Sequence, residues 1–279
     1  MIEVFNGISN IAVAIEKEVF ANYDGVIEGL KEDVQIENKV YQYCSNLIEK
    51  ECESIKSVKS VISKDKKQMC QINENGKYII AYTAIDTMSL LEANFSLGSI
   101  FAIYENKIEA HNLVACIYVT YGPTFQMVFG SKSEGVKYFS YEHGEFVQKD
   151  DLKLNEKGKI NTPSGGFDSY TQDQKKLTQS FFDDGYRLRF SNSLCLDTHQ
   201  ILFKKGGIFM SPSTFKNQSG VLELVFEAYP MALIIELAGG RAIDGSTRIL
   251  DLKLDSLHQT SPIYFGSVSE VNRVETFYK

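Results

Sequence analysis

The sequence predicts a mixed α/β (α+β) protein built as two layered halves. Three observations carry this. Two amphipathic helical stretches open the chain, and a run of β-branched and aromatic segments separated by turn residues extends to about residue 150. From about residue 171 helices and short strands alternate irregularly. With 279 residues, the chain can bury a core that needs no disulfide or metal staple.

Taken in order, residues 1–22 place Ile8, Ile11, Ala12, Ile15 and Phe20 at helical spacing. Over about 37–54, Val40, Tyr43, Cys44, Leu47 and Ile48 form one apolar stripe. Segments 58–63, 77–85, 94–104, 112–121, 125–130 and 136–141 read as strands. The cluster NTPSGG at 161–166 reads as a turn, and as the boundary between an N-terminal half, 1–160, and a C-terminal half, 161–279. A polar helix is predicted over about 171–184, a second over about 193–204 and a strand over 207–210. A last helix over about 221–238 stops at Gly239-Gly240, and Pro230 within it predicts a kink or a break.

Composition narrows the function classes. The apolar share is 43% and the charged share 23%, as in ordinary globular proteins. Lys and Arg number 29 against 36 Asp and Glu, for a net charge of −7, which argues against a nucleic-acid partner. The acidic excess raises the idea of carboxylates gathered around divalent ions. No apolar run reaches the ~18 residues of a membrane span, and Glu3 with no basic start argues against a secretory signal. The five cysteines form no C-x-x-C pair and read as free thiols in a reducing cytoplasm. Four scattered histidines give a zinc site little support.

Residue by residue, the chemistry is sparse. Asp86 ends the apolar run YIIAYTAI, where α/β folds often bind ligands, and where a turn or capping aspartate also belongs. Glu227 sits among Leu224, Val225, Phe226 and Ala228, so it is either paired or metal-bound in the interior, or exposed on one side of a helix. Lys204-Lys205 and Ser164-Gly165-Gly166 fit a solvated helix end and a plain turn as well as they fit phosphate binding.

Residues 82–104 read YTAIDTMSLLEANFSLGSIFAIY. This resembles the metal and phosphate segment of class I fructose-1,6-bisphosphatases, D-P-[LI]-D-G-S-S followed by N-x-S-x-G-[ST]-I-F-x-I-Y. Tyr121-Gly122-Pro123, Gly206-Gly207-Ile208-Phe209, FEAYPMALIIELAGGRAIDGSTRILDL and PIYFGS extend the likeness collinearly over about residues 33–279. The resemblance implies a layered sugar-phosphatase fold of the fructose-1,6-bisphosphatase and inositol monophosphatase type, with a regulatory N-terminal and a catalytic C-terminal half. It implies Mg²⁺-dependent removal of the 1-phosphate of fructose 1,6-bisphosphate in gluconeogenesis, by an oligomer of identical subunits. In such chemistry several ions orient water and stabilise charge on the phosphoryl group.

The resemblance breaks where that chemistry resides. The family's Ser-Glu-Glu metal motif falls on Ser63-Lys64-Asp65, and the first aspartate of D-P-L-D falls on Thr83. A water-activating aspartate falls on Gln42, and Gly-Ser-Ser falls on Thr87-Met88-Ser89. A phosphate-binding lysine and a neighbouring arginine fall on Val221 and Glu223. Lys64 places a positive charge where cations must be attracted; at ~4 Å and an effective dielectric near 20 the repulsion is about 4 kcal/mol per unit charge. Thr87 is strained if its φ is positive. An effector arginine also falls on Glu105, although Lys77-Tyr78 match.

What survives by this matching is Asp65, Asp86 and Glu227 as metal candidates, and Ser89, Asn161 and Arg189 as phosphate or sugar contacts. No residue keeps a defined catalytic role, and Mg²⁺ is expected to bind weakly or not at all. The reading that follows is a fructose-1,6-bisphosphatase-like protein, silent or strongly impaired, acting as a binding or oligomer subunit. Its partners would be a sugar phosphate and further subunits, in a homo-oligomer or with an active paralogue, but neither nucleic acid nor membrane. The alternatives are an active Mg²⁺-dependent 1-phosphatase, and a phosphatase of changed substrate in which Lys64 is a new functional cation.

Overall fold

The computed structural model describes residues 1–17 and 36–279. Helix α1 (Ile2–Ile15) buries Val4, Ile8, Ile11, Ala12 and Ile15, the stripe its sequence predicts, while Phe20 lies outside the described residues. Helix α2 (Ile36–Cys52) buries Val40, Cys44 and Ile48, with Tyr43 turned to solvent. Both helices pack on one face of an eight-stranded sheet.

That sheet contains β1 (Val58–Ser63), β2 (Cys70–Gln71), β3 (Tyr78–Asp86), β4 (Leu97–Glu105), β5 (Leu113–Tyr121), β6 (Gln126–Ser131), β7 (Gly135–Glu142) and β8 (Glu145–Asp151), in the order β2-β1-β3-β4-β5-β6-β7-β8. β1 and β3 run parallel, and every other neighbouring pair is antiparallel. Successive side chains face opposite layers. Ile80, Tyr82, Phe101, Ile103 and Ile117 meet α1 and α2, while Ile79, Ala81, Ile100, Ala102 and Tyr118 face the second half. Every residue of β3 is therefore buried, which explains its unbroken apolar run.

The second half supplies a five-stranded sheet of β9 (Ile160–Pro163), β10 (Arg187–Leu188), β11 (Ile208–Ser211), β13 (Arg241–Ile243) and β15 (Ile263–Gly266), in the order β10-β9-β11-β15-β13. A small ribbon pairs β12 (Leu222–Glu223) with β14 (Thr260–Ser261). Helices α5 (Leu194–Phe203) and α6 (Tyr229–Leu237) lie between the two large sheets, sharing one core with Phe209, Ala242 and Phe265. The alternate residues Ile208, Met210, Ile243 and Tyr264 face α4 (Gln172–Asp183) and α7 (Val268–Tyr278) through Leu177, Phe181, Val271 and Val274. The layers run helices, sheet, helices, sheet, helices, a mixed α/β layered fold. A short helix, α3 (Ser89–Glu92), follows β3.

Several elements, among them α7, β13 and β15, lie outside the sequence expectation, and three further differences have a clear physical reason. Asn161-Thr162-Pro163 is a strand, because β9 is paired in parallel on both sides and Pro163, whose ring nitrogen carries no hydrogen, stands at its last position. β8 is polar, as an edge strand can be, and so has no apolar signature. The helix expected over 221–238 is in fact strand β12, a π-turn at Leu224–Ala228 and then α6. Pro230 is the second residue of α6; having no N–H, it ends the π-turn's bonding after the Tyr229 N–H on the Leu224 carbonyl, and the Tyr104 hydroxyl donates to the Val225 carbonyl instead. Among the described residues no helix is long and apolar enough to cross a membrane.

Candidate functional site

The parallel pairing of β1 with β3 sends their C-terminal ends to one edge of the sheet, with Ser63 opposite Tyr82. Lys64 and Asp65 leave β1 there, and the Lys64 N–H bonds the Tyr82 carbonyl at 2.9 Å. Asp86 and Thr87 leave β3 beside them. The π-turn crosses above this edge and brings in Glu227. Tyr41, Lys64, Asp65, Thr83, Ile85, Asp86, Thr87, Met88, Glu223 and Glu227 enclose a cavity of about 440 Å³. The sequence-predicted metal candidates Asp65, Asp86 and Glu227 thus share one cavity.

Their partners define its chemistry. Lys64 Nζ donates to Glu227 Oε1 at 2.6 Å, and the Glu223 N–H donates to Glu227 Oε2 at 2.8 Å. Burial pushes the Glu227 carboxyl up, and the Lys64 ammonium pulls against that shift. Burial also works to discharge Lys64, but Glu227, followed by Glu223 and Asp86, holds the ammonium above the usual lysine range. Asp86 Oδ2 accepts from Ser193 Oγ and from the Cys195 N–H, each at 2.7 Å, so the start of α5 anchors it. Asp65 accepts from Ser63 Oγ. Asp86 Oδ1 also lies 3.2 Å from Thr87 Oγ1, so both oxygens of Glu227 and both of Asp86 have N–H or O–H partners. Mg²⁺ takes six oxygens, water commonly among them, and needs anionic side chains to hold it; here both oxygens of Glu227 are held by the Lys64 ammonium and the Glu223 N–H. Among the described residues no three His, Cys, Asp or Glu side chains are arranged to hold a metal ion.

The remaining predicted contacts lie elsewhere. Ser89 is the exposed first residue of α3. Asn161 is fully buried in β9 and donates from Nδ2 to the Thr178 carbonyl at 3.2 Å. Arg189 is exposed just beyond β10, its backbone N–H on the Asn161 carbonyl at 3.1 Å. The structure joins Asn161 and Arg189 through the backbone but brings neither to the cavity wall. Gln42 is exposed on α2. Thr87 does have a positive φ, 62°, and its Oγ1 is tied to the Asn192 carbonyl at 2.7 Å.

Sequence reasoning missed two residues of this region. Tyr41 lines the cavity, and its hydroxyl accepts the Ala84 N–H at 3.2 Å. His258 stacks on Phe226 and spans two acceptors, the Glu223 carboxylate at 2.8 Å and the Lys66 carbonyl at 3.1 Å. His258 is 192 residues from Lys66 in sequence, so no local pattern announces the contact. An acid at position 223 was the available signal, since a half-buried carboxylate calls for a donor.

Two family models divide the chain between them. "Fructose-1-6-bisphosphatase, N-terminal domain" matches residues 5–151, and "Fructose-1-6-bisphosphatase, C-terminal domain" matches residues 154–279. The chain is 40% identical over 280 residues to the fructose-1,6-bisphosphatase class 1 of Campylobacter hominis, covering 100% of both. It is 40% identical over 233 residues to that of Campylobacter jejuni, covering 83% of both. The crystal structure of Leishmania major fructose-1,6-bisphosphatase in holo form superposes with a TM-score of 0.89 at 25% identity, over 99% of this chain and 93% of that one.

Proposed function

The chain belongs to the fructose-1,6-bisphosphatase family, and from that membership we propose that its own site is silent or strongly impaired and that it acts as a binding or oligomer subunit. The observation that carries this is the 2.6 Å ion pair between Lys64 and Glu227 inside the carboxylate cavity. The resemblance implies a phosphatase in which ions gather charge on a transferring phosphoryl group. Here an ammonium fixed to the polypeptide takes up a carboxylate that would serve that purpose. Thr83 and Gln42 supply no further anion, and Glu223 adds a negative charge that repels phosphate.

As a subunit, the chain would join copies of itself or an active relative. Leu188 and Phe190, exposed at 59% and 43%, flank Arg189 beside the edge strand β10 and offer apolar area for such contact. A sugar phosphate is the ligand class that the family membership supports. The five cysteines are free thiols, which accords with the cytoplasm.

The experiment is phosphate release from fructose 1,6-bisphosphate by the purified chain with Mg²⁺, paired with sedimentation velocity. The expected result is no release above the protein-free control, by a chain that sediments as an oligomer alone or when mixed with an active relative. Sustained Mg²⁺-dependent release would establish the active 1-phosphatase reading instead. A strictly monomeric chain that associates with no relative would remove the subunit role.

A further inference from the structure

Four carboxylates line the cavity: Asp65, Asp86, Glu223 and Glu227. Lys64 is the one cationic side chain among its described lining residues. The Lys64 head lies 2.6 Å from Glu227 Oε1, and it also feels the charges of Glu223 and Asp86. Glu227 is 3% exposed, too deep for water to compensate its charge, so it requires a counter-cation close by.

A second observation is independent of the acids. The Thr83 residue is 3% exposed and lines the same cavity, and its Oγ1 has no hydrogen-bond partner among the described residues. β3 places Thr83 on the face of Ile79 and Ala81, toward the π-turn that carries Glu227. An unpartnered buried hydroxyl there is an oxygen ready to accept or to coordinate.

We propose that Lys64 is a tethered cation seated in a latent divalent-cation site formed by Asp86, Glu227 and Thr83, with Asp65 at its rim, and that it closes this pocket to free metal ions. The proposal rests on the reading of the site as a disabled phosphatase centre and names what disables it. An ammonium and a divalent ion cannot both take Glu227, because each needs the same oxygen and each repels the other. A lysine also arrives with every copy of the chain, so Glu227 has its counter-charge whatever the metal concentration. His258 holds Glu223 from the far side, and Lys66 is engaged with Glu49 at 2.6 Å, so neither is placed to substitute for Lys64.

The test is Mn²⁺ titration followed by electron paramagnetic resonance, with thermal unfolding in chelator and in Mn²⁺. Wild-type chain is expected to leave the free-Mn²⁺ signal undiminished and to show no Mn²⁺-dependent shift in Tm. Lys64→Ala is expected to bind Mn²⁺ at least about tenfold more tightly than wild type and to gain Tm on adding it. Lys64→Ala combined with Glu227→Gln is expected to lose that gain. Lys64→Met, which keeps the volume of the stem, is measured in parallel. Equal Mn²⁺ binding by wild type and Lys64→Ala would overturn the proposal. So would absence of binding in both single variants, or their failure to fold even with Mn²⁺ present. The readout is separate from turnover: phosphate release by the wild-type chain bears on the proposed function, whereas Mn²⁺ binding bears on Lys64.

Discussion

Gly266→Ala is expected to destabilise the chain by about 3–4 kcal/mol, strain and overlap each contributing roughly 1–3. Gly266 ends β15 at a φ of 153°, and a Cβ there would overlap the Gly207 carbonyl oxygen. Gly207 cannot retreat. Its own φ is 148°, its own Cβ position meets the Ile160 carbonyl oxygen at 2.7 Å, and its carbonyl accepts the Ser267 N–H at 2.9 Å. Gly158 closes the arrangement, because a Cβ on it would overlap the backbone of Gly206 and Gly207. At this crossing three backbones touch without side chains, and the second sheet takes its register from it: Ile208 pairs Gly266 on one side and Asn161 on the other. Thermal unfolding checks the expectation, with a Tm lowered by about 10 °C for a chain of this size. Gly135→Ala is the control, since Gly135 also has a positive φ, 73°, but nothing lies within 4 Å of its Cβ position. It is expected to show the conformational penalty alone, about 1 kcal/mol. Equal losses in the two variants would show that the close approach at Gly266 contributes nothing.

The legible parts of this fold are those where one layer decides the pattern. Ile8, Ile11 and Ile15 lie on the one buried face of their helix, packed with α2 and the first sheet, so their spacing predicts α1. The run YIIAYTAI predicts a strand covered on both faces, and β3 is one. The π-turn was not legible, because a side chain decides it: the Glu227 carboxylate takes the Glu223 N–H, and Pro230 fixes where regular helix begins. Asn161 looked like turn chemistry because strand β9 is specified by its two neighbours more than by its own residues. At the site, matched motifs located Asp65, Asp86 and Glu227, and the structure places all three around one cavity. The motifs also marked Lys64 as a charge out of place. Its partner, 163 residues away, could be identified only once β1 and the π-turn were seen at the same edge.

Asp197→Asn is expected to stabilise the chain at pH 8 by about 2 kcal/mol and to have little effect at pH 5. Asp197 lies in the first turn of α5 and is 1% exposed. Its Oδ1 accepts from the Ser191 N–H at 2.9 Å and from Ser191 Oγ at 2.8 Å, while Oδ2 has no partner among the described residues. Burial pushes the carboxyl up to about 7; the Ser191 bonds oppose this and the Asp86 charge adds to it. An unfolded aspartate titrates near ~3.9, so between about pH 4 and 7 the folded chain holds a proton that the unfolded chain has released. The stability due to that proton is complete below about pH 4 and is lost as pH rises through 7. The full window corresponds to about 4 kcal/mol at 1.36 kcal/mol per unit. Asparagine stays neutral throughout and keeps an oxygen for Ser191, but its amide faces the partnerless side at a cost of roughly 1–3 kcal/mol. Ser191 and Ser193 belong to the loop that enters α5, and Ser193 and Cys195 are the donors to Asp86. Ionising Asp197 therefore adds a second buried negative charge behind the cavity, on the same short segment that anchors Asp86. Urea unfolding of both chains at pH 5 and pH 8 decides the matter. A difference between them that is the same at both pH values would mean that Asp197 does not take up its proton within this window.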